Sequence, residues 1–221
     1  MCQRIYKGDK MRSEIIAKDL LKIKAVFFQP DDPFTWASGI KSPVYCDNRL
    51  TLSDVQVRND VENGLAEMIK EKYPDAEILM GTSTAGIAHA AITAQILNLP
   101  MGYVRTGSKD HGRKNQIEGK ILPGQKAVVI EDLISTAGSC VDVVNVLRDA
   151  GAEVLGIASI VTYGMAKAAK RLADNDVANV SLTDFNTIAA CAAEEGYIKE
   201  RDIKRLLAFR DHPEDESWIN K

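Results

Sequence analysis

The chain has 221 residues, 45% of them hydrophobic, and its 28 basic and 31 acidic side chains give a formal net charge of -3. This length predicts one domain with a small appendage, and the slightly acidic balance argues against general binding to nucleic acid or to a membrane surface. No apolar run approaches the roughly 20 residues of a membrane helix, and the amino terminus lacks the apolar segment of a secretory signal, so we expect a cytoplasmic protein.

The amino-terminal part of the chain predicts two helices with a loop between them. Apolar residues recur at helical spacing over residues 13–26, and Pro30 then interrupts the chain. Ser53 opens a capping-box pattern that predicts the start of a second helix. This helix should end before Pro74, because the residue that precedes a proline is disfavoured in a helix.

From residue 77 onwards, strand and helix patterns alternate. The predicted strands cover residues 77–80, 102–105, 127–130, 154–161 and 177–182, and the predicted helices cover residues 87–97, 138–151 and 165–173. Alternation of this kind predicts an α/β fold, in which helices flank a parallel sheet. Beyond Thr183 the chain is expected to be helical and charged.

The most informative stretch is the predicted central strand, residues 127–130, with the residues that follow it. Its β-branched run fits a strand that is buried on both faces of a parallel sheet, and Glu131 and Asp132 come directly after it. Because an unpaired buried carboxylate is costly, we expect both acids where the strand leaves the core and meets solvent or a ligand. In open α/β sheets, ligands bind at that edge.

A small, hydroxyl-rich loop comes next and leads into a helix that is predicted to begin near Gly138. Hydroxyl groups, backbone amides and the positive end of the helix dipole can together bind a phosphate. The residues that offer these groups are Ser135, Thr136, Gly138 and Ser139. The preceding carboxylates would repel a bare phosphate, but they accept hydrogen bonds from the vicinal hydroxyls of a ribose. The pattern therefore predicts a sugar-phosphate site, and the alternative is a strand followed by an ordinary acidic turn.

Two other segments could bind an anion. The small-residue loop at 80–87 joins a predicted strand to a predicted helix and could hold pyrophosphate oxygens with its backbone amides, although such turns are common. The glycine-punctuated segment 105–119 is long for a plain connection. Its basic side chains could close over a highly anionic ligand, and the alternative is a solvated surface loop. These side chains are Arg105, Lys109, His111, Arg113 and Lys114.

Residues 32–49 combine aromatic, hydroxyl and charged side chains in one segment. A flat ring ligand needs aromatic walls and a few polar groups that orient it, so Phe34 and Trp36 are candidates for such walls. The alternative is that both rings anchor an amino-terminal flap to the core, and the two interpretations are compatible. His89, flanked by alanines on a predicted helix, is interpreted as structural.

The strand, loop and helix at residues 127–139 resemble the phosphoribosyl pyrophosphate (PRPP) motif of type I phosphoribosyltransferases. Together with the Phe-Thr-Trp-Ala-Ser-Gly string at residues 34–39 and the loop at 105–112, in the same order, the chain is similar to the orotate phosphoribosyltransferase family over nearly its whole length. The resemblance implies a type I phosphoribosyltransferase fold with a small hood built from the amino-terminal region. We place this hood at residues 1–50 and the core of the same structural domain at residues 51–221.

The resemblance also implies a function, a cofactor and partners. The reaction would transfer the 5-phosphoribosyl group of PRPP to orotate, giving orotidine 5'-monophosphate and pyrophosphate in de novo pyrimidine biosynthesis. Mg²⁺ would be held mainly through the pyrophosphate rather than by protein ligands. The protein would be a homodimer with shared active sites, in which the loop of one subunit reaches the site of its partner, and it would have no nucleic-acid or membrane partner.

Site residues follow from the same resemblance. Arg105, Lys109 and His111 would bind the pyrophosphate of PRPP in the site of the partner subunit and, with Asp132, form the catalytic group. Ser135 would also contact orotate, and Phe34 would bind substrate as a wall of the base pocket. The residues expected to bind the ribose 5-phosphate part of PRPP are Glu131, Asp132, Leu133, Ile134, Ser135, Thr136, Ala137, Gly138 and Ser139.

The sequence also departs from the family pattern. Many members carry basic residues where Ala37 and Thr106 stand, and in some relatives an orotate-binding arginine falls near Tyr163, so the contacts of those side chains are not carried over. Two rival functions remain. One is a phosphoribosyltransferase for a purine or uracil, and the other is a non-catalytic PRPP-sensing regulator that uses a basic face for nucleic acid.

Overall fold

The structure is a computed structural model that describes residues 7–35, 39–105 and 116–220. The helices in chain order are α1 (Lys7–Lys22), α2 (Val55–Lys72), α3 (Ala85–Leu97), α4 (Gly138–Asp149), α5 (Ala166–Asp174), α6 (Phe185–Glu194) and α7 (Asp202–Asp211). Two short 3-10 helices span Asn48–Ser53 and Glu216–Asn220. The strands are β1 (Val26–Phe28), β2 (Phe34–Thr35), β3 (Lys41–Ser42), β4 (Val44–Cys46), β5 (Ile78–Thr82), β6 (Met101–Val104), β7 (Ile117–Glu118), β8 (Lys126–Ile134), β9 (Glu153–Thr162) and β10 (Asn179–Asp184).

A six-stranded sheet lies at the centre of the fold, with the strand order β10-β9-β8-β5-β6-β7. Its first five strands are parallel to one another, and β7 pairs with β6 in the antiparallel direction. The predicted α/β class, with helices that flank a mostly parallel sheet, is confirmed. The order reverses direction between β5 and β8, and such a reversal is where open α/β sheets bind ligands.

Strand β8 separates two hydrophobic clusters. Val128 and Ile130 pack with residues of α1, α2, α3 and α6, whereas Ala127 and Val129 pack on the other face with residues of α4 and α5. All four side chains are fully buried, as expected for a strand that helices cover on both faces. This burial fixes β8 in the middle of the molecule and places its carboxyl end beside that of β5.

Several element boundaries differ from those predicted. Helix α1 begins and ends earlier than residues 13–26, because Lys24 adopts a left-handed φ of 58° and Val26 enters β1. The amino-terminal cap of α2 is Asp54 rather than Ser53, which ends the preceding 3-10 helix. The Asp54 carboxylate accepts hydrogen bonds of 3.0 Å from the backbone N–H groups of Gln56 and Val57, which is the usual capping geometry.

The amino-terminal strands form two small antiparallel sheets, β1 with β4 and β2 with β3. Helix α1, in contrast, contributes Ile16 and Leu20 to the same hydrophobic cluster as α6. The division of the chain into a hood at residues 1–50 and a core at residues 51–221 stays a prediction. Over the residues that the structure describes, no helix has both the length and the apolar character that a bilayer crossing requires.

Candidate active site

The two acids after the predicted central strand lie inside β8, which continues to Ile134. Successive side chains of a strand point to opposite faces, so Glu131 and Asp132 have different surroundings. Glu131 is only 4% exposed, whereas Asp132 is half-buried. Of the two acids that were expected to meet solvent or a ligand, Glu131 turns its side chain inward to hydrogen-bond donors of the protein, and its predicted contact with the ribose of PRPP stays a prediction.

The Glu131 carboxylate connects two loops. Its Oε1 accepts a 2.6 Å hydrogen bond from the Thr82 hydroxyl, and its Oε2 accepts one of 2.9 Å from the Ser139 hydroxyl. Burial raises the pKa of Glu131 to about 7, and the neighbouring charge of Asp132 adds to the rise, while the bonds from Thr82 and Ser139 act in the opposite direction. Both carboxylate oxygens of Glu131 thus accept hydrogen bonds from the protein. The side chain connects the loop that follows β5 to the amino end of α4.

Asp132 presents the more accessible carboxylate at this edge. Its backbone N–H donates to Glu131 Oε1 at 3.1 Å, and its backbone carbonyl accepts a 2.9 Å hydrogen bond from Asn48 Nδ2. Sequence analysis did not single out Asn48, because a lone asparagine 84 positions away gives no signal of this contact. The carboxylate of Asp132 is the group here that is suited to accept hydrogen bonds from ribose hydroxyls.

The predicted phosphate loop, residues 135–137, connects β8 to α4, which begins at Gly138 as predicted. Ala137 occupies the cap position with a left-handed φ of 60°, and its side chain makes no hydrogen bond to the amides of the first turn. Arg171 Nη1 donates to the carbonyl of Thr136 at 3.1 Å and so fixes the loop from α5. The uncapped amides at the positive end of a twelve-residue helix can bind a phosphate.

Leu133 and Ile134 are placed differently from the rest of the predicted PRPP segment. Ile134 is 1% exposed and packs in the cluster with α4 and α5, and its carbonyl accepts a hydrogen bond from the backbone N–H of Tyr163. Leu133 packs on the opposite cluster. The Ile134 side chain therefore belongs to the hydrophobic core. A role for Leu133 or Ile134 in substrate binding stays a prediction.

The small-residue loop after β5 lies next to β8 at the same edge. Thr82 ends β5, and the backbone N–H of Ser83 donates to the carbonyl of Val104 at 3.2 Å. Helix α3 begins so close to β8 that a Cβ added to Gly86 would lie 2.4 Å from the carbonyl oxygen of Ile130. Only glycine allows this approach, which brings the amino end of α3 beside the strand that carries the acids.

Arg105 follows β6 at the same carboxyl edge of the sheet. Its backbone N–H donates to the carbonyl of Gln116, and its Nε lies 3.0 Å from Glu118 Oε1 on β7. The pairing of β6 with β7 thus holds the two ends of the 105–119 segment together. Lys109 and His111 lie outside the described residues, so their predicted contacts with pyrophosphate stay predictions.

Phe34 packs within an aromatic cluster of the amino-terminal strands. Its ring centroid lies 5.4 Å from that of Phe27 and 5.7 Å from that of Tyr45. These ring contacts lie within the amino-terminal strands themselves, so the anchoring of Phe34 to the core and its contact with a ring ligand both stay predictions. Trp36 and Ala37 lie outside the described residues. Tyr163 is buried against Phe185, and burial holds its pKa well above the usual range.

His89 lies away from this edge, between α2 and α3. It is fully buried, and its Nδ1 lies 2.6 Å from Glu62 Oε1, while Glu62 Oε2 accepts a 2.8 Å hydrogen bond from Thr93. The structure thus supports the structural interpretation of this histidine. The described cysteines Cys46, Cys140 and Cys191 are free thiols.

The chain is similar to known proteins over most of its length. The model of the phosphoribosyl transferase domain family matches residues 55–195. Orotate phosphoribosyltransferase of Bacillus subtilis is 53% identical over 97% of this chain and 99% of its own length, and that of Bacillus cytotoxicus is 54% identical over 95% and 99%. The crystal structure of orotate phosphoribosyltransferase from Aeropyrum pernix superposes with a TM-score of 0.72 at 32% identity, covering 83% of this chain and 99% of that one.

Proposed function

The chain belongs to the orotate phosphoribosyltransferase family, and we propose that the carboxyl edge of β5, β6 and β8 is the site of its reaction. The phosphoribosyl group of PRPP is transferred to orotate, giving orotidine 5'-monophosphate and pyrophosphate in pyrimidine biosynthesis. The observation that carries the proposal is the Glu131 carboxylate, which holds the Thr82 loop and the Ser139 helix end side by side. PRPP also has two anionic ends, a pyrophosphate and a phosphate, with a ribose between them, so each end can lie against one of these two loops.

Each part of PRPP then has a matching part of the site. The 5-phosphate binds the hydroxyl groups and amides of residues 135–139, where the amino end of α4 favours an anion. The ribose hydroxyls donate to Asp132. The pyrophosphate binds the loop that follows Thr82, and orotate binds on the side of Ser135 and Phe34. The half-buried position of Asp132 between the two loops supports this arrangement.

The chemical task of the site is to stabilise charge on the leaving group. As the bond to pyrophosphate breaks, the sugar becomes oxocarbenium-like and negative charge collects on the leaving oxygens. Arg105, Lys109 and His111 are the proposed donors for these oxygens, and one well-placed donor contributes roughly 3 kcal/mol in a dry site. Orotate is already an anion, so no strong general base is required of the protein.

We also propose that Mg²⁺ is the cofactor. Over residues 7–35, 39–105 and 116–220, no three His, Cys, Asp or Glu side chains form a group that could hold a metal ion. Mg²⁺ usually binds through substrate phosphates and one or two carboxylates, and Asp132 is the carboxylate at this edge that could take part. When bound, Mg²⁺ would offset the negative charge of the pyrophosphate.

The assembly and the cellular location are further proposals. We propose a homodimer in which Lys109 and His111 of each subunit serve the site of its partner, in line with the resemblance of the 105–112 loop to the family. A cytoplasmic location without nucleic-acid or membrane partners is proposed from the family to which the chain belongs and from its slightly acidic net charge of -3. Sedimentation of the purified protein, with and without PRPP, tests the dimer.

An absorbance assay tests the proposed function. Purified protein is mixed with PRPP, orotate and Mg²⁺, and the loss of orotate absorbance is followed; omission of either PRPP or Mg²⁺ is expected to abolish it. Uracil, adenine and hypoxanthine in place of orotate test the rival base specificities. Turnover of one of these bases, or PRPP binding without any turnover, would contradict the proposal.

A further inference from the structure

We propose that Asn48 is a positioning residue for Asp132, which it holds in the orientation that binds the ribose of PRPP. The inference rests on the proposed PRPP site, and no direct contact between Asn48 and substrate is required. The contact that carries it is the 2.9 Å hydrogen bond from Asn48 Nδ2 to the backbone carbonyl of Asp132.

Strand register explains why Asp132 needs such support. Strands β5 and β8 are paired only as far as Gly81 and Ile130, whereas β8 and β9 stay paired to Ile134 and Thr162. Beyond Ile130, therefore, β8 has a neighbouring strand on one side only. Asp132 lies in this one-sided stretch, where backbone groups that face the missing strand must find other partners.

Two side chains take the place of the missing strand. Glu131 Oε1 accepts from the backbone N–H of Asp132 at 3.1 Å, and Asn48 donates to its backbone carbonyl. Both polar groups of the Asp132 main chain are thereby fixed. Since the direction of a strand side chain follows from its backbone, fixing these groups fixes where the Asp132 carboxylate points.

Asn48 is itself held in place. It is fully buried, its Oδ1 lies 3.5 Å from the Cys46 thiol that donates to it, and its backbone carbonyl accepts a 2.7 Å hydrogen bond from the Thr51 hydroxyl. The side-chain amide thus has a partner at both ends, and a buried amide in this setting has a single orientation.

The contact also couples the amino-terminal segment to the PRPP strand. Asn48 begins the 3-10 helix directly after β4, and β4 carries Tyr45, which packs against Phe34. A change in the aromatic cluster can therefore reach Asp132 through one short stretch of chain. This is a physical route by which occupation of the proposed orotate side could influence the ribose side.

Replacement of Asn48 by alanine tests the role directly. Asn48→Ala leaves the Asp132 carbonyl without its donor, and we expect kcat/KM for PRPP to fall about tenfold, with a larger change in KM for PRPP than in KM for orotate. Thr93→Val is the matched control, because it removes a buried side-chain hydrogen bond, the one from Thr93 to Glu62, that lies away from this edge and does not involve Asn48. It should lower the urea midpoint of unfolding while KM for PRPP stays within about twofold.

Asn48→Asp adds a second test, the pH dependence of kcat/KM for PRPP, which a purely structural role of Asn48 would not change. An ionised carboxylate cannot donate to the Asp132 carbonyl, but a protonated one can. The Asn48 side chain contacts the Cys46 thiol, and the charges of Asp132 and Asp47 act on that thiol, which in turn acts on the Tyr163 hydroxyl. Burial near these two acids favours the protonated form of the new carboxyl. The ratio of native to variant kcat/KM for PRPP is thus expected to decrease as the pH is lowered, whereas the ratio for Asn48→Ala stays flat.

The results of these experiments distinguish a failure of the proposed function from a failure of the positioning role of Asn48. Native protein without turnover of PRPP and orotate would overturn the proposed function. Active native protein whose Asn48→Ala and Asn48→Asp variants keep the native KM for PRPP would overturn only the positioning role. The same holds if their losses match those of Thr93→Val, or if lowering the pH makes Asn48→Asp worse relative to native protein.

Discussion

The hydroxyl of Thr82 donates a 2.6 Å hydrogen bond to Glu131, 49 residues further along the chain, and this contact joins the ends of β5 and β8 inside the protein. Glu131 also accepts from Ser139 at the start of α4. One buried carboxylate therefore connects the loop that follows β5 to the amino end of α4. A change in the protonation state of Glu131 therefore changes the hydrogen bonds to both Thr82 and Ser139.

Glu131 makes stability depend on pH. Its folded-state pKa of about 7 lies above its ordinary value of 4.5, so the folded state binds the proton more tightly than the unfolded state. The stabilisation is fully present below about pH 4.5 and is lost as the pH rises to about 7, by an amount on the order of 3 kcal/mol. Glu131→Gln cannot ionise, so its free energy of unfolding relative to native protein should rise over this range.

Urea unfolding monitored by tryptophan fluorescence measures this difference, and the buried Trp218 is a suitable reporter. Glu153→Gln, at an exposed position at the start of β9, is the control for loss of a glutamate carboxylate. A difference between native protein and Glu131→Gln that is the same at acidic and at neutral pH would contradict this account of Glu131.

Asp132 should matter for activity rather than for stability. Its carboxylate is half-buried, and its main-chain hydrogen bonds do not depend on the side chain. Asp132→Asn removes the charge and one acceptor for the ribose hydroxyls, so kcat/KM for PRPP is expected to fall roughly 100-fold. Steady-state kinetics measures this loss. Asp142→Asn, exposed on α4, should be close to native, and an equal loss in both variants would refute the ribose role.

The sequence predicted the strand, loop and helix of this site because the signals are local. The apolar run at 127–130 marks a buried strand, and Gly138 lies at the observed start of α4. What the sequence could not show is that β8 continues past the acids and turns Glu131 inward, because its partner Thr82 belongs to another strand. The alternation of side chains along a strand was the available signal, since it implies that two adjacent acids face opposite sides.

Asn48 was missed for a related reason. A polar residue in a short 3-10 helix has many possible partners, and only the three-dimensional register of β5 against β8 identifies the carbonyl that lacks one. The cap of α2 was misplaced by one residue for a local reason. Ser53 and Asp54 are both good capping residues, and the preceding 3-10 helix, which the sequence did not reveal, includes Ser53.

Gly86 provides a test of the packing at this edge. A Cβ there would lie 2.4 Å from the Ile130 carbonyl oxygen and 2.6 Å from the Thr82 hydroxyl, and the strand carbonyl cannot move aside. Gly86→Ala is therefore expected to destabilise the fold by roughly 2–3 kcal/mol and to lower activity, because α3 must shift away from β8.

Gly64 on α2 is the matched control for Gly86. A Cβ at Gly64 would meet the flexible end of Leu182 at 3.2 Å, and alanine is better than glycine in a helix by about 1 kcal/mol. Gly64→Ala should thus stay within about 1 kcal/mol of native stability. Chemical denaturation measures the free energy of unfolding of both variants. Equal losses of stability would mean that the Gly86 contact does not limit the approach of α3 to β8.

Lys109 is predicted to act on the leaving group rather than on the base. If its ammonium group stabilises charge that develops on pyrophosphate, Lys109→Ala should lower kcat by roughly 100-fold or more while KM for orotate changes little. Lys120→Ala, at an exposed position just after β7, is the control for removal of a positive charge close to the same segment. Because the proposed role is played in the partner subunit, a mixture of Lys109→Ala and Asp132→Asn subunits should recover activity through hybrid dimers that have one intact site. Unchanged turnover in Lys109→Ala would refute the leaving-group role, and a mixture that stays inactive after subunit exchange would refute shared sites.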